Sequence, residues 1–211
     1  MSTTRISQLI TAVEDSLSET HTNLTPEILS IEGMSGKMYK KFANRLLSKP
    51  IVKNYLEIGV WKGSTAIAAL YNNHHRLRYT VIDNFSEFGG PKNEFISNWK
   101  QYNGTIPNLI DDDCFCFNPR DRNISDIDVY FYDGNHEEIS HYKALHHYYE
   151  AMADSFILMV DDWTAWNQVK DGTNRAIGDL NLKIEMKIEK VDGGSEQWWN
   201  GCGIFVLSKT K

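Results

Sequence analysis

Tyr55-Leu-Glu-Ile-Gly-Val-Trp-Lys-Gly-Ser-Thr65 runs from an apolar, strand-like segment through a glycine turn into the start of a helix. α/β proteins build nucleotide-cofactor pockets on this local plan. Gly59 and Gly63 permit a sharp turn and a close approach of backbone to a ligand. The unpaired amides of a helix beginning near Lys62 or Gly63 face the same space. Glu57 narrows the choice of ligand, because a phosphate-binding loop offers amides and no negative charge. A dinucleotide fingerprint, Gly-x-Gly-x-x-Gly, would need glycine at Trp61, and a Walker loop would need Gly-Lys-Ser/Thr, whereas Lys62 here precedes Gly63-Ser64-Thr65.

What remains, Glu-x-Gly-x-x-x-Gly from Glu57 to Gly63, resembles the first motif of class I S-adenosylmethionine-dependent methyltransferases. The resemblance implies a cofactor with an ammonium and a sulfonium and no phosphate, served by Glu57, Gly59, Trp61, Gly63 and Ser64. A plain strand-turn-helix is the alternative reading of this stretch taken alone.

Composition bounds the remaining possibilities. With 211 residues, 41% hydrophobic and 24% charged, the chain suits one well-filled globular domain. A net charge of -6, from 22 Lys+Arg against 28 Asp+Glu, opposes a broad nucleic-acid footprint. Met1-Ser-Thr-Thr-Arg-Ile lacks a basic segment followed by an apolar core, and no run approaches the roughly 18 apolar residues of a membrane span. A soluble, cytoplasmic protein without a membrane partner is therefore expected. The three cysteines, with Cys114 and Cys116 alternating in an expected strand, fit reduced core thiols better than a disulfide framework. No Cys-x-x-Cys pair exists to favour zinc.

From Arg5 to Leu17, Ile6, Leu9, Ile10, Val13 and Leu17 recur at helical spacing, an amphipathic helix that packs on the core or meets a partner. Thr25-Pro26-Glu27 marks a helix start, and a basic helix follows from Lys37 to Leu47, ended by Lys49-Pro50. Residues 1–50 thus read as a helical segment packing on a domain of residues 51–211. Beyond it, strands are expected at 54–58, 79–82, 114–117, 129–132 and 156–160, alternating with helices at 63–71, 93–102, 137–149 and 166–180. That rhythm implies parallel strands joined by crossovers. The runs 184–191 and 203–207, with no helix between them, predict an antiparallel hairpin. The class I resemblance implies the same architecture: a Rossmann-like α/β fold, a seven-stranded, mostly parallel sheet ending in that hairpin, with helices on both faces.

Asp83 closes the strand 79–82 at the carboxyl edge of the sheet, where open α/β sheets bind ligands. The resemblance gives this carboxylate the ribose hydroxyls of the cofactor; a cap on the next turn is the alternative. Two more strand ends bring Tyr130-Phe-Tyr-Asp133-Gly-Asn-His136 and Ile157-Leu-Met-Val-Asp161-Asp162-Trp163 to that edge. Carboxylates that converge in a partly dry cleft repel unless a cation or proton lies between them. Oxygen donors favour magnesium, manganese or calcium over zinc. Asp161 and Asp162 would face opposite sides of a regular strand, so the strand must end there for both to reach one ion. A helix cap with a solvent-facing neighbour is the alternative for that pair.

Asp133-Gly134-Asn135-His136 with Asp161-Asp162 resembles the metal-dependent O-methyltransferase branch that includes macrocin-type sugar methyltransferases, over roughly residues 32–162. The resemblance implies that Asp133, Asp161 and Asp162 hold Mg2+ or Mn2+ and that His136 is the base. Some relatives place an acidic base two residues after the first ligand, where this chain has Asn135. Met34 and Ser35 would flank the methionine end of the cofactor, and the turn-rich loop 86–92 would close over its adenosine. His141, His146 and His147 are expected on a helix surface. Trp163, Trp166, Trp198 and Trp199 either stack on an acceptor or anchor packing. The expected activity is methylation of a hydroxyl on a sugar or glycan, with a phenolic small molecule as the alternative acceptor. A non-catalytic cofactor-binding module is the alternative of another class, and the exposed N-terminal helix suggests a homodimer.

Overall fold

The computed structural model describes residues 2–210. Its strands are β1 (Asn54–Ile58), β2 (Arg78–Ile82), β3 (Leu109–Ile110), β4 (Ile127–Tyr132), β5 (Met152–Asp161), β6 (Leu182–Lys190) and β7 (Cys202–Lys209). They form one sheet in the order β3-β2-β1-β4-β5-β7-β6. β1 to β5 run parallel, and β7 lies antiparallel between β5 and β6. The strand order reverses between β1 and β4, the switch point at which such sheets open a crevice. The α/β fold, the mostly parallel seven-stranded sheet and the C-terminal hairpin all match the sequence reading.

The helices are α1 (Ser2–Ser18), α2 (Pro26–Leu29), α3 (Lys37–Ser48), α4 (Ser64–Leu70), α5 (Lys92–Asn103), α6 (Glu138–Tyr148) and α7 (Asn167–Asp179). Period-two alternation in the central strands feeds two hydrophobic layers. On one face Leu9, Val13, Tyr39, Phe42, Ile67, Phe95 and Trp99 pack over Val81, Val129, Phe131, Ile157 and Met159. On the other, Leu145, Tyr148, Val169 and Ile177 pack over Leu56, Ile58, Tyr130 and Leu158. The short α2 begins as Thr25-Pro26 predicts, its Thr25 hydroxyl accepting from the N–H of Ile28. Among the described residues, no helix is long and apolar enough to cross a membrane.

The inner face of α1 is tied down by more than apolar contact. Arg5 pairs with Asp128, whose buried carboxylate also accepts from the backbone N–H of Lys53 at 2.7 Å and of Asn54 at 2.9 Å. Asp128→Ala would strand two amides and leave the Arg5 guanidinium only the Ser155 carbonyl, at 3.3 Å. We expect it to cost about 3 kcal/mol, measurable as a lower urea midpoint with an unchanged slope.

One expected strand is absent. Residues 114–117 form a turn, and β3 is the short pair Leu109–Ile110 upstream. The cause is local: Asp113 accepts from the N–H of Phe115 through its side chain at 2.7 Å and from that of Cys116 through its carbonyl at 3.1 Å, which commits both amides to a turn. Consequently Cys114 is half-buried and Cys116 exposed, and of the three cysteines Cys202 alone is a core thiol.

Candidate functional site

The glycine loop at the end of β1 is shaped by close approach. Gly59 has φ +85°, and a Cβ placed on it would lie 1.8 Å from the carbonyl oxygen of Asp133. Only a residue without a side chain lets the β1 and β4 loops touch there. Gly63, at φ +87°, precedes α4 and lies against Phe95 and Ile67. Asp83 at the end of β2 accepts through Oδ2 from the N–H groups of Val60 and Trp61, each at 2.8 Å, and through Oδ1 from Phe85 at 2.6 Å. Its carboxylate therefore organises the loop, and acceptor capacity remains for a second role. The Trp61 indole donates to the carbonyl of Phe88 and ties the loop to the segment 85–90.

The segment before α3 completes this side. A Cβ on Gly33 would lie 2.2 Å from that of Ser64, so residues 33–35 rest directly on the start of α4. Ser35 and Thr65 share a hydroxyl hydrogen bond of 3.0 Å, while the buried Ser64 hydroxyl has no partner. Met34, Ser35, Gly59, Trp61, Ser64 and Asp83 line a cleft of about 650 Å³ that continues to Asp133, His136, Asp161 and Asp162. Glu57 and Gly63 do not line it. Glu57 is fully buried; the Tyr55 hydroxyl donates to its Oε2 at 2.7 Å, and its Oε1 has no partner. Burial pushes the Glu57 carboxyl up to about 8, with the Asp133 and Asp83 carboxylates adding to the effect.

The far end of the cleft is acidic. β4 delivers Asp133 and β5 delivers Asp161 as the last strand residue. Asp162 then leaves strand geometry, with φ +58°, which brings its carboxylate to the same side. Its Oδ2 lies 2.7 Å from His136 Nε2, and its Oδ1 accepts from the Asn200 side-chain amide at 2.6 Å. Ligand atoms of Asp133, His136 and Asp162 all lie within 4.8 Å of one another. Burial, with the neighbouring Asp162 carboxylate adding to it, holds both Asp133 and Asp161 above the ordinary carboxylate range. The bond to Asp162 raises the pKa of His136.

His136 owes its placement to Asn135, whose Oδ1 accepts from the N–H of Glu137 at 2.9 Å and the hydroxyl of Ser140 at 3.0 Å. Asn135 thus caps the entry to α6, a structural task at the position where some relatives carry an acid. The His136 ring stacks on Trp166, 6.3 Å between centroids at 20°, and Trp166 is 46% exposed.

Three histidines of α6 fall elsewhere than expected. His141 is buried against Tyr132, and burial pushes its pKa down to about 4. His146 and His147 are half-buried, each with an enclosed and unpartnered Nε2. Each is covered by a different neighbour: His141 by Tyr132 and by α7 at Gly172, His146 by the Tyr142 ring, and His147 by Phe115 and Phe117. Trp163 and Trp198 are packing anchors: the first is fully buried and donates to Glu189, the second packs on Tyr39 and Phe42. Neither Asn200 nor Tyr55 is singled out by the sequence. Asn200-Gly201 does carry a turn signal, but nothing in it names Asp162 as the partner.

Residues 56–163 match the family described as Methyltransferase domain. The chain belongs to that family. Among curated protein sequences none matches it. Solved structures do. An O-methyltransferase from Bacillus cereus in complex with S-adenosylhomocysteine superposes with a TM-score of 0.59 at 14% identity, covering 98% of this chain and 91% of that one. An S-adenosylhomocysteine-bound methyltransferase from Podospora anserina gives 0.61 at 12%, covering 97% and 88%. A Pyrococcus horikoshii protein described as an RNA methyltransferase gives 0.57 at 12%, covering 98% and 96%. At these identities the methyltransferase-domain protein shares the fold with all three, and the fold does not choose between their acceptors.

Proposed function

We propose that this methyltransferase-domain protein is an S-adenosylmethionine-dependent, divalent-metal-assisted O-methyltransferase of the macrocin-type branch, acting on a hydroxyl of a sugar or glycan. The observation that carries the reading is the convergence of Asp133, His136 and Asp162 at one end of a cleft whose other end is the glycine loop. The donor set fits a hard divalent cation: carboxylate oxygens at short range, beside an Asp161 Oδ1 that is buried without a partner. Asp133 and Asp162 would hold the ion, with Asp161 completing the oxygen set. When bound, such an ion lowers the pKa of a coordinated hydroxyl.

The chain's own groups do the rest. His136, hydrogen-bonded to Asp162, takes the proton of the acceptor hydroxyl. Met34, Ser35, Gly59 and Trp61 form the wall against which S-adenosylmethionine lies, with Gly63 and Ser64 at the start of α4, and Asp83 holds the loop in shape. Glu57 lies buried behind that wall, its carboxyl pushed up to about 8 and bonded to the Tyr55 hydroxyl, and supports the end of β1 from which the loop springs. In-line transfer needs donor and acceptor held in near-attack geometry, and a single cleft running from the glycine loop to the acidic cluster gives both a place side by side. A phenolic acceptor is the second reading, favoured by the exposed Trp166 face beside His136.

Calorimetric titration with S-adenosylhomocysteine, repeated with Mn2+ and with a chelator, tests the proposal. Micromolar binding is expected, together with a separate Mn2+ heat that disappears in Asp133→Ala. No binding of S-adenosylhomocysteine under any condition would exclude the methyltransferase reading. Binding with no Mn2+ heat would exclude the metal alone.

A further inference from the structure

Asp162 follows the last paired residue of β5, and no strand ladder orients it. Pairing of β5 with β7 ends at Asp161 opposite Cys202, and Asp162 follows in the left-handed region. Its side-chain direction must come from contacts outside the sheet. Two side chains supply them: His136 at Oδ2 and Asn200 at Oδ1.

Asn200 is itself unusually well held. Its carbonyl accepts from the N–H of Thr164 at 3.0 Å and from the Thr164 hydroxyl at 2.9 Å, and its N–H donates to Asp192 Oδ1 at 3.0 Å. The loop that carries it is also pinned to the start of α3: the N–H of Lys37 donates to the Ser195 carbonyl at 2.8 Å, and that of Met38 to the Gln197 carbonyl at 3.2 Å. Gly36 permits this contact, since a Cβ there would lie 1.9 Å from the Gln197 oxygen. Both anchoring segments, 36–38 and 192–201, lie outside the residues that match the methyltransferase family.

We propose that Asn200 is a positioning residue: its side-chain N–H clamps Oδ1 of Asp162 so that Oδ2 stays turned toward His136 and the Asp133 carboxylate. The β6–β7 loop therefore completes the acidic end of the cleft, although it contributes no group to the chemistry. Without the clamp, Asp162 is held by His136 alone on a backbone that the sheet does not control, and the effect falls on the geometry of the cluster rather than on folding.

The backbone of Asn200 has φ +61°, so alanine would add strain while glycine would not. Asn200→Gly removes the clamp cleanly, and Asn200→Asp keeps the shape while replacing the donor by a like charge. Part of the inference rests on the metal reading above, so two readouts are taken on the full chain. The first, with chelator present, is the downfield proton signal of the His136 ring N–H bonded to Asp162, identified by its loss in His136→Gln. It is expected to vanish or broaden in both Asn200 variants while the melting temperature stays near that of the parent. The second is Mn2+ affinity by electron paramagnetic resonance, expected to fall about tenfold or more in both variants. An unchanged ring signal in Asn200→Gly overturns the clamp. Mn2+ binding in Asn200→Asp as tight as in the parent also overturns it, by making residue 200 a direct ligand. A parent chain that binds no Mn2+ defeats the metal reading and leaves the ring signal to decide the clamp.

Discussion

His136→Ala is expected to lower methyl transfer by about 100-fold or more, the usual worth of a positioned general base, while affinity for S-adenosylhomocysteine is unchanged. The separation follows from geometry: His136 stands at the acidic end of the cleft, bonded to Asp162, whereas the glycine loop, Ser35 and Met34 form the other end. The pH dependence has a definite sign. A base works in its neutral form, so kcat/KM should rise with pH as His136 loses its proton. The bond to Asp162 raises its pKa, and a cation held by Asp133 and Asp162 opposes that shift, so the midpoint should lie higher with chelator-treated than with Mn2+-loaded protein. Turnover by His136→Ala at the parental rate would transfer the role to another group.

Gly59→Ala should weaken cofactor binding severely. Two costs add at this position. An L-residue at φ +85° is strained by about 1–2 kcal/mol, and the new methyl would sit 1.8 Å from the Asp133 carbonyl oxygen, which is backbone and cannot swing aside. Relief requires the β1 and β4 loops to separate, which displaces the Asp133 carboxylate together with the wall of the cleft. We expect affinity for S-adenosylhomocysteine to fall about 100-fold or more, with a clear drop in melting temperature. Gly104→Ala is the control: φ is +68° there and no atom lies within 4 Å, so it should cost about 1 kcal/mol of stability and nothing in binding. Equal behaviour of the two variants would show that the loop contact at Gly59 does not matter.

Much of the cleft is legible from residue types alone, because its parts sit at strand ends that local patterns reveal. Gly59 and Gly63 announce a turn, Asp83 and Asp133 follow β-rich runs, and the missing helix between 191 and 203 betrays the hairpin. The misplacement of β3 has a local cause as well: Cys114 to Phe117 alternate like a strand, yet Asp113 captures the amides that would have paired. His141 is different. Helical spacing puts it on a surface, and it is turned inward against Tyr132 and against α7, packed from elsewhere.

Taken by itself, then, the chain's sequence determined the alternating α/β order, the glycine loop after β1, the carboxylates at three strand ends and the antiparallel close. All of these depend on periodicity and turn chemistry within a few residues. Tertiary structure alone decided that Asp161 is buried beside Asp133, that Asp162 faces His136, that Asn200 reaches Asp162 from 38 positions away and that Tyr55 holds Glu57. Such contacts depend on how separate elements pack and on which buried polar atoms find partners. No local pattern encodes that choice.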